Sequence, residues 1–333
     1  MHRSRTRMAA GERPSYEELK SPERNHPGTA WGVFGDQDQL GTLNLLSNER
    51  VVEASGLIKT GQRFNLNLPL DYFDPPLIAH RGALEHKVFG LNKFHRDDKI
   101  DNFYPQSSTQ LDSLRHFAHP DHGFYNGFPD DSITKGTSTL GIQSVAEHGI
   151  AGRGLLLDIA RYRDSIGLPI NHQDTEQISV QDLESTLKHQ KVQTREGDIL
   201  LLRFGWLQHY ATVEKPSTNS AGLEQSEDIA AWLWDQKISV VAADNIAVEA
   251  WPPNRTSIST LAEQSGRLET SSHTGMLHRI LIPLLGFSLG ELWNLDSLAE
   301  RCHQLNRYES FIFAQPLNLV GGVGSPANAI AIL

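Results

Sequence analysis

Two spacings of apolar residues divide this chain into elements. Apolar runs of strand length, bounded by turn formers, fall at Phe64–Leu70, Gly154–Ile159, Asp198–Phe204, Ile238–Ala243 and Phe311–Val320. GLLLDI, DILLLRF and ISVVAAD barely alternate between apolar and polar, as strands buried on both faces do. Between the runs the spacing lengthens to that of a helix. Ser179-Val-Gln-Asp182 reads as a capping box, after which Val180, Leu183 and Leu187 share one face. Glu227–Lys237 forms a second amphipathic stretch with Ile229 and Leu233 inward, and Gly275–Leu285 and Asp296–Leu305 read as two more. Strands alternating with helices, after a loop-rich and proline-punctuated first half, predict an α/β (α+β) domain. A flexible arm over residues 1–30 followed by a single domain over 31–333 is expected. Lys215–Gly222 is the clearest internal loop, without the character of a linker.

Charge narrows the partners. Against 30 Lys+Arg stand 40 Asp+Glu, a formal charge of −10. Phosphate backbones and anionic membrane surfaces are bound through clustered cations, so neither nucleic acid nor membrane is an expected partner. Arg3, Arg5 and Arg7 open the chain without an apolar run behind them, which is not the pattern of a secretory signal. Ile280–Leu289, the longest strongly apolar stretch, is about half of the ~20 residues of a spanning helix and contains Pro283. Cys302 is the only cysteine, so neither a disulfide within the chain nor a thiolate zinc site is available. A lone thiol suits a reducing compartment and a cytoplasmic location, and Cys302 itself reads as a small core residue beside Leu298 and Leu305.

Chemistry-bearing side chains are densest in Gln106-Ser-Ser-Thr-Gln110-Leu-Asp112-Ser-Leu-Arg-His116-Phe-Ala-His119-Pro-Asp121-His122. In an extended segment Gln110 and Asp112 point to the same side, and a following helical turn would bring His116 over Asp112. Such a cluster can hold a divalent ion by oxygen and imidazole donors, and it can equally be a polar loop with no ion. The spacing of His116, His119 and His122 offers another imidazole cluster, which Pro120 disfavours. Asp244 ends a predicted strand, where α/β folds often place ligand contacts. Trp31, Phe34, Phe124 and Tyr125 are candidates for an aromatic wall, while Arg153 and Asp158 read as structural.

The segment Q-S-S-T-Q-L-D-S-L-R-H resembles, in register, the H-x-G-T-H-x-D-x-P-x-H pattern of the kynurenine formamidase/cyclase family, which includes isatin hydrolases. Gln106 and Gln110 stand at the first two histidines, while Asp112 and His116 match. His278-RILIPLL-Gly286-FSLG-Glu291-LWNL resembles the family's C-terminal region. WGVFGDQDQLGTLNLL and the closing GGVGSPANAIAIL resemble its two ends, and the S-S-T-Q-x-D-x-L-R-H form is similar to that of a fungal-type branch.

The resemblance implies a compact swivelling β/β/α domain with a mixed sheet. It also implies a hydrolase cleaving a C–N bond of a small aryl formamide, lactam or cyclic imide, with an ester or lactone close behind. Asp112, His278 and Glu291, with Gln110, would hold one divalent ion in place of the family's two, because both imidazoles of the other position are gone. Neutral amide oxygen is a poor donor to Zn²⁺ and acceptable to Mn²⁺ or Mg²⁺. The resemblance implies Mn or Zn as the ion, and a site without one stays open. His116 would move protons. Trp31, Phe34, Tyr125 and Asp244 are the expected substrate contacts, and a homo-oligomer, dimer or tetramer, is implied. A cyclase or lyase abstracting a proton beside a carbonyl, or a binding protein that has lost its ion, would use the same residues.

Overall fold

A computed structural model of the protein describes residues 13–214 and 217–333. Its strands are β1 (Arg63–Asn65), β2 (Glu85–Asn92), β3 (His95–Asp101), β4 (Gln110–Asp112), β5 (Ile150–Asp158), β6 (Gln177–Ile178) and β7 (Ile199–Arg203). They continue with β8 (Gly222–Leu223), β9 (Val240–Ala243), β10 (Ser288–Glu291), β11 (Glu309–Ala314), β12 (Gly324–Pro326) and β13 (Ala329–Ile332). The helices are α1 (Tyr16–Leu19), α2 (Asn48–Ser55), α3 (Ile142–His148), α4 (Ile159–Ser165) and α5 (Val180–Gln190). After them come α6 (Trp206–Thr212), α7 (Glu227–Asp235), α8 (Leu261–Gln264), α9 (His278–Leu281) and α10 (Asp296–Leu305).

One mixed sheet carries the architecture, in the order β1-β13-β11-β5-β7-β9-β10-β4-β12. Its centre, β5-β7-β9-β10, is parallel, and the pairings outside it are antiparallel. Successive residues of the central strands enter opposite cores, which explains their continuous apolarity. Leu155, Leu157, Leu200, Leu202 and Val241 pack on one side with Leu183 and Leu187 of α5 and Ile229 and Leu233 of α7. Leu156, Leu201, Val240 and Ala242 pack on the other with Leu298, Ala299 and Cys302 of α10. Burial pushes the Cys302 thiol up to about 12, which leaves it an inert core residue. The capping box of α5 forms as expected: Ser179 and Asp182 each satisfy the other's backbone N–H. The mixed α/β architecture matches the expectation.

Other elements are shorter than the apolar runs suggested. β1 ends at Asn65, and β11 ends at Ala314, two residues before Pro316. Gly275–Leu285 contains one helical turn, α9, because Pro283 has no N–H to continue it. Part of the expected arm is also packed structure. Residues 1–12 lie outside the described residues, but α1 buries Tyr16 and Leu19, and the indole of Trp234 donates to the Pro14 carbonyl at 2.8 Å. Lys215 and Pro216 of the expected loop also lie outside. β2 and β3 form a separate, exposed ribbon that presents Val88, Phe89 and Phe94 to solvent. No helix among the described residues is long and apolar enough to cross a membrane.

Gly286 reverses the chain between α9 and β10. Its φ is +76°, and a Cβ there would lie 2.6 Å from the Tyr125 ring and 2.9 Å from Gly41 Cα. Its carbonyl accepts from Thr42 N–H at 2.9 Å, which ties the early WGVFGDQDQLGT segment to the strand that carries Glu291. We predict that Gly286→Ala lowers stability by about 2–4 kcal/mol, through both the left-handed backbone and overpacking. Thermal unfolding of the metal-free protein measures this, and an unchanged midpoint would show that the turn relaxes freely.

Candidate active site

β4 and β10 run antiparallel at the edge of the parallel sheet, with Gln110 opposite Glu291 and Leu111 opposite Gly290. Alternation sends Leu111 into the core and leaves Gln110 and Asp112 on the other face beside Glu291. The smaller polar residues of the motif hold this strand in place. Ser108 Oγ donates to the Pro69 carbonyl at 2.7 Å, Thr109 Oγ1 to Leu292 O at 2.5 Å, and Ser113 Oγ to Val323 O at 2.8 Å. Arg115 donates to the carbonyls of Thr134, Thr137 and Thr139. A turn from Ser113 to His116 then returns His116 Nε2 to 3.9 Å from Asp112 Oδ2.

His278 arrives from α9. Its Nε2 lies 3.1 Å from Glu291 Oε1 and 3.8 Å from Asp112 Oδ2. Candidate ligand atoms of Asp112, His278 and Glu291 all fall within 4.8 Å of one another, and all three residues are buried. Each carboxylate has one oxygen held by a glutamine. Gln106 Nε2 donates to Asp112 Oδ1 at 2.6 Å, and Gln110 Nε2 donates to Glu291 Oε2. Asp112 Oδ2 and Gln110 Oε1 are buried and accept no hydrogen bond. Unsatisfied buried acceptors are costly, and these two adjoin an imidazole and a second carboxylate, so the donor set fits a divalent cation.

Electrostatics follow from this burial. Loss of water raises the Asp112 carboxyl, opposed by His116 and reinforced by Glu291. Burial lowers the His116 imidazole, opposed by Asp112, so the ring is neutral at neutral pH. For His278 burial acts downward too, but hydrogen bonds to Glu249 and Glu291 overcome it and carry the ring up to about 10. The surrounding carboxylates thus hold a proton firmly on His278, and an ion bound at the nitrogen facing Glu291 and Asp112 would have to displace it.

Glu249 is the functional residue that the sequence reading missed. It is fully buried, its Oε1 lies 2.5 Å from His278 Nδ1, and its carboxylate also accepts the backbone N–H groups of Leu277 and His278. The preceding Val248 has φ +61°, an unusual backbone for a β-branched residue, and Asn245 Nδ2 holds the Glu249 carbonyl at 3.0 Å. The segment from Asn245 to Glu249 is a braced turn that delivers one carboxylate to one imidazole.

Of the expected substrate contacts, none reaches this cluster. Asp244 is buried and accepts from the N–H groups of Phe204 and Gly205, both at 2.8 Å. Burial pushes its carboxyl up to about 7, and it joins the ends of β7 and β9. Tyr125 is buried with its hydroxyl on Asp38 at 3.0 Å. Trp31 donates its indole N–H to Pro283 O at 2.7 Å, and with Phe34 it lines a separate open cleft that includes Arg13 and Arg24. The aromatic ring at the site is Phe117, whose centroid lies 4.9 Å from that of His116 and 5.3 Å from that of His278. The rings of His119 and His122 lie 4.9 Å apart with their planes tilted by 51°, and His122 meets Trp31 edge to face. Burial pushes His119 down to about 4, and its Nδ1 accepts from the Asp121 N–H, which leaves that nitrogen no free lone pair. Arg153 and Asp158 are structural as expected: Arg153 grips Asp198, and Asp158 pairs with Arg203 and caps α4.

A family model described as "Putative cyclase" matches residues 59–250, more than half of the chain. The chain belongs to the cyclase family. It is similar to a crystal structure described as a novel cyclase, with 33% identity over 92% of this chain and 99% of that one, at a TM-score of 0.76. Isatin hydrolase A from Labrenzia aggregata, bound to benzyl benzoate, shares the fold at 16% identity and a TM-score of 0.55, covering 85% of this chain and 97% of that one. Isatin hydrolase A from Ralstonia solanacearum does so at 15% identity and 0.52, covering 84% and 93%. No protein of curated function matches in sequence.

For this member of the cyclase family, we predict that Glu249→Gln weakens divalent-ion binding by about 10–100-fold, because a histidine ligand depends on the partner of its other nitrogen. Titration with Mn²⁺ followed by electron paramagnetic resonance measures this directly. Wild-type affinity in a folded Glu249→Gln protein would show that His278 needs no such partner.

Proposed function

We propose that the protein is a hydrolase that adds water to the carbonyl of a small cyclic or aryl amide and so breaks its C–N bond. The observation that carries this reading is the meeting of Asp112, His278 and Glu291 around free acceptor atoms, with neutral His116 at their edge. The fold shared with isatin hydrolases supports it. A divalent ion on these three residues, with Gln110 Oε1 beside it, would polarise the carbonyl and make water a stronger acid.

The chain's own residues supply the remaining steps. Asp112 and Glu291 are acceptor-only when ionised, so they hold cationic or proton-donating partners and cannot donate to a carbonyl oxygen themselves. His116 accepts a proton from the attacking water and returns it to the departing nitrogen, and the tetrahedral carbon then collapses to a carboxylic acid. Gln106 steadies both partners: its Nε2 lies 2.6 Å from Asp112 Oδ1 and 3.4 Å from His116 Nδ1. Phe117, packed across His116 and His278, excludes water from that side.

Gln106 and Gln110 also limit the site to one ion. Each donates an N–H to a carboxylate oxygen that a second cation would otherwise share. We predict one divalent ion per chain by elemental analysis, with Mn²⁺ restoring a chelated enzyme at least as well as Zn²⁺. Two ions per chain would contradict the glutamine argument. No ion, with activity surviving chelation, would remove the metal from the reaction.

His116→Ala should keep the fold and lose about 10²–10⁴ in turnover. Reaction in ¹⁸O-labelled water should place one solvent oxygen in the acid product. Product free of the label would instead indicate proton abstraction beside a carbonyl by the same residues.

A further inference from the structure

Of the hydroxyls in the motif segment Ser107-Ser108-Thr109, two are spent on backbone carbonyls and one is not. Ser108 and Thr109 anchor the strand, whereas Ser107 Oγ is buried and has no hydrogen-bond partner. Ser107 sits where two cavities adjoin. One, of about 50 Å³, borders Gln106, Gln110 and Glu291, and the other, of about 150 Å³, runs beneath the base of the β2–β3 ribbon. Pro76 and Ser107 line both. Arg81 is the one cation lining the inner cavity among the described residues. Its guanidinium donates to the Gln106 carbonyl, and it makes no ion pair within 4.0 Å among the described residues, including with Asp112 and Glu291. Most of its donors are therefore uncommitted. The rest of the lining includes the apolar side chains of Leu77, Ile78, Ile246 and Leu292.

We propose that Arg81 and Ser107 form a carboxylate-binding subsite, and that the substrates carry a carboxylate on an apolar body beside the carbonyl that reacts. This rests on the hydrolase reading of the same cleft. A guanidinium presents a planar fork that matches a carboxylate, and a hydroxyl adds a further donor. Apolar lining strengthens both by excluding water. The anion held here is not the acid that the reaction forms. That acid appears at Asp112, His278 and Glu291, and the Arg81 guanidinium lies beyond ion-pair distance of both carboxylates. Arg81 is thus a specificity residue for a second group of the substrate. Its charge also offsets the repulsion that an anionic substrate would meet from Asp112 and Glu291, the two carboxylates whose field reaches it.

The test uses phthalamate, an aromatic carboxylate next to an amide, and phthalamide, its neutral isostere. Binding of each to the full chain is measured by calorimetry, once after chelation and once loaded with Mn²⁺. Wild type should prefer phthalamate by about tenfold or more in both forms, the size expected of charge-assisted hydrogen bonds. Arg81→Met should bring the ratio to one or below, and Ser107→Ala should weaken phthalamate by a few-fold while sparing phthalamide. Arg81→Lys, which keeps the charge but loses the fork, should fall between them. It also serves as the decisive variant if Arg81→Met does not fold. No preference in wild type, or a preference untouched by Arg81→Lys and Arg81→Met, overturns the subsite. The chelated arm separates the two readings. An Arg81-dependent preference that persists without any effect of Mn²⁺ supports the subsite while counting against the metal site. Mn²⁺-dependent binding indifferent to Arg81 does the reverse.

Discussion

Two carboxylates buried side by side are the constraint around which this molecule is arranged. At the 4.8 Å limit of the cluster, and with an effective dielectric of ~20, two unit charges repel by ~3 kcal/mol before desolvation is counted. That is a sizeable share of the stability of an ordinary domain. Asp112 and Glu291 can coexist there only if positive potential is supplied from every side. Gln106 and Gln110 bring N–H donors to one oxygen of each, and His278 stands between the other two oxygens. The acceptors left over, Asp112 Oδ2 and Gln110 Oε1, mark where the supply from the protein stops and where a cation would complete it.

The sheet makes this possible because antiparallel β4 joins the edge of a parallel array. A wholly parallel edge would place only strand ends near β10. The antiparallel register instead sets Gln110 directly across from Glu291, and Asp112 across from Gly324 of β12. Gly290 follows from the same geometry: a Cβ there would lie 2.5 Å from Trp293 Nε1, the donor that fixes the Gln110 carbonyl at 3.0 Å. His278 and Glu249 then come from the loops that leave the C-terminal ends of β9 and precede β10, where α/β folds gather their ligand contacts.

Local pattern alone left the Gln110–His116 segment open between an ion site and a polar loop; the family resemblance picked out Asp112, His278 and Glu291, which the fold brings together. Asp112 and His116 lie four residues apart, and His278 and Glu291 bracket one turn and one strand. The parts that could not be read are those that depend on long-range closure. In VVAADNIAVEAWPP two acids compete for attention, and the strand-end argument selects Asp244. The structure uses Asp244 to tie two strand ends, and it is Glu249, after a turn with a left-handed valine, that meets His278. Local periodicity carries no information about such a turn. Trp31, Phe34 and Tyr125 fail for a related reason. Their apolar bodies are as useful to the core as to a pocket, and residue type alone does not distinguish the two. The strands β4, β10 and β12 are only three or four residues long, too short to show a period, although they frame the cleft. The arm was misjudged beyond residue 12 because a four-residue helix with a capping box depends on Trp234 and Asp235, which are over two hundred residues away.

Gln106 and Gln110 set how the two carboxylates are held. An imidazole at position 106 or 110 would present a lone pair to a metal and little to a neighbouring carboxylate, whereas an amide presents N–H donors to the carboxylate and one oxygen to the ion. With amides at both positions, one oxygen of Asp112 and one of Glu291 are committed to hydrogen bonds. Hydrogen-bond donors carry only partial charges, so they balance the two carboxylates incompletely. On the proposed reading, an anionic substrate would meet the field of these two carboxylates as it approaches. A guanidinium on the cleft wall would supply positive potential at a fixed position, away from the proposed reacting carbonyl. Arg81 stands on that wall, tied by one bond to the backbone of Gln106.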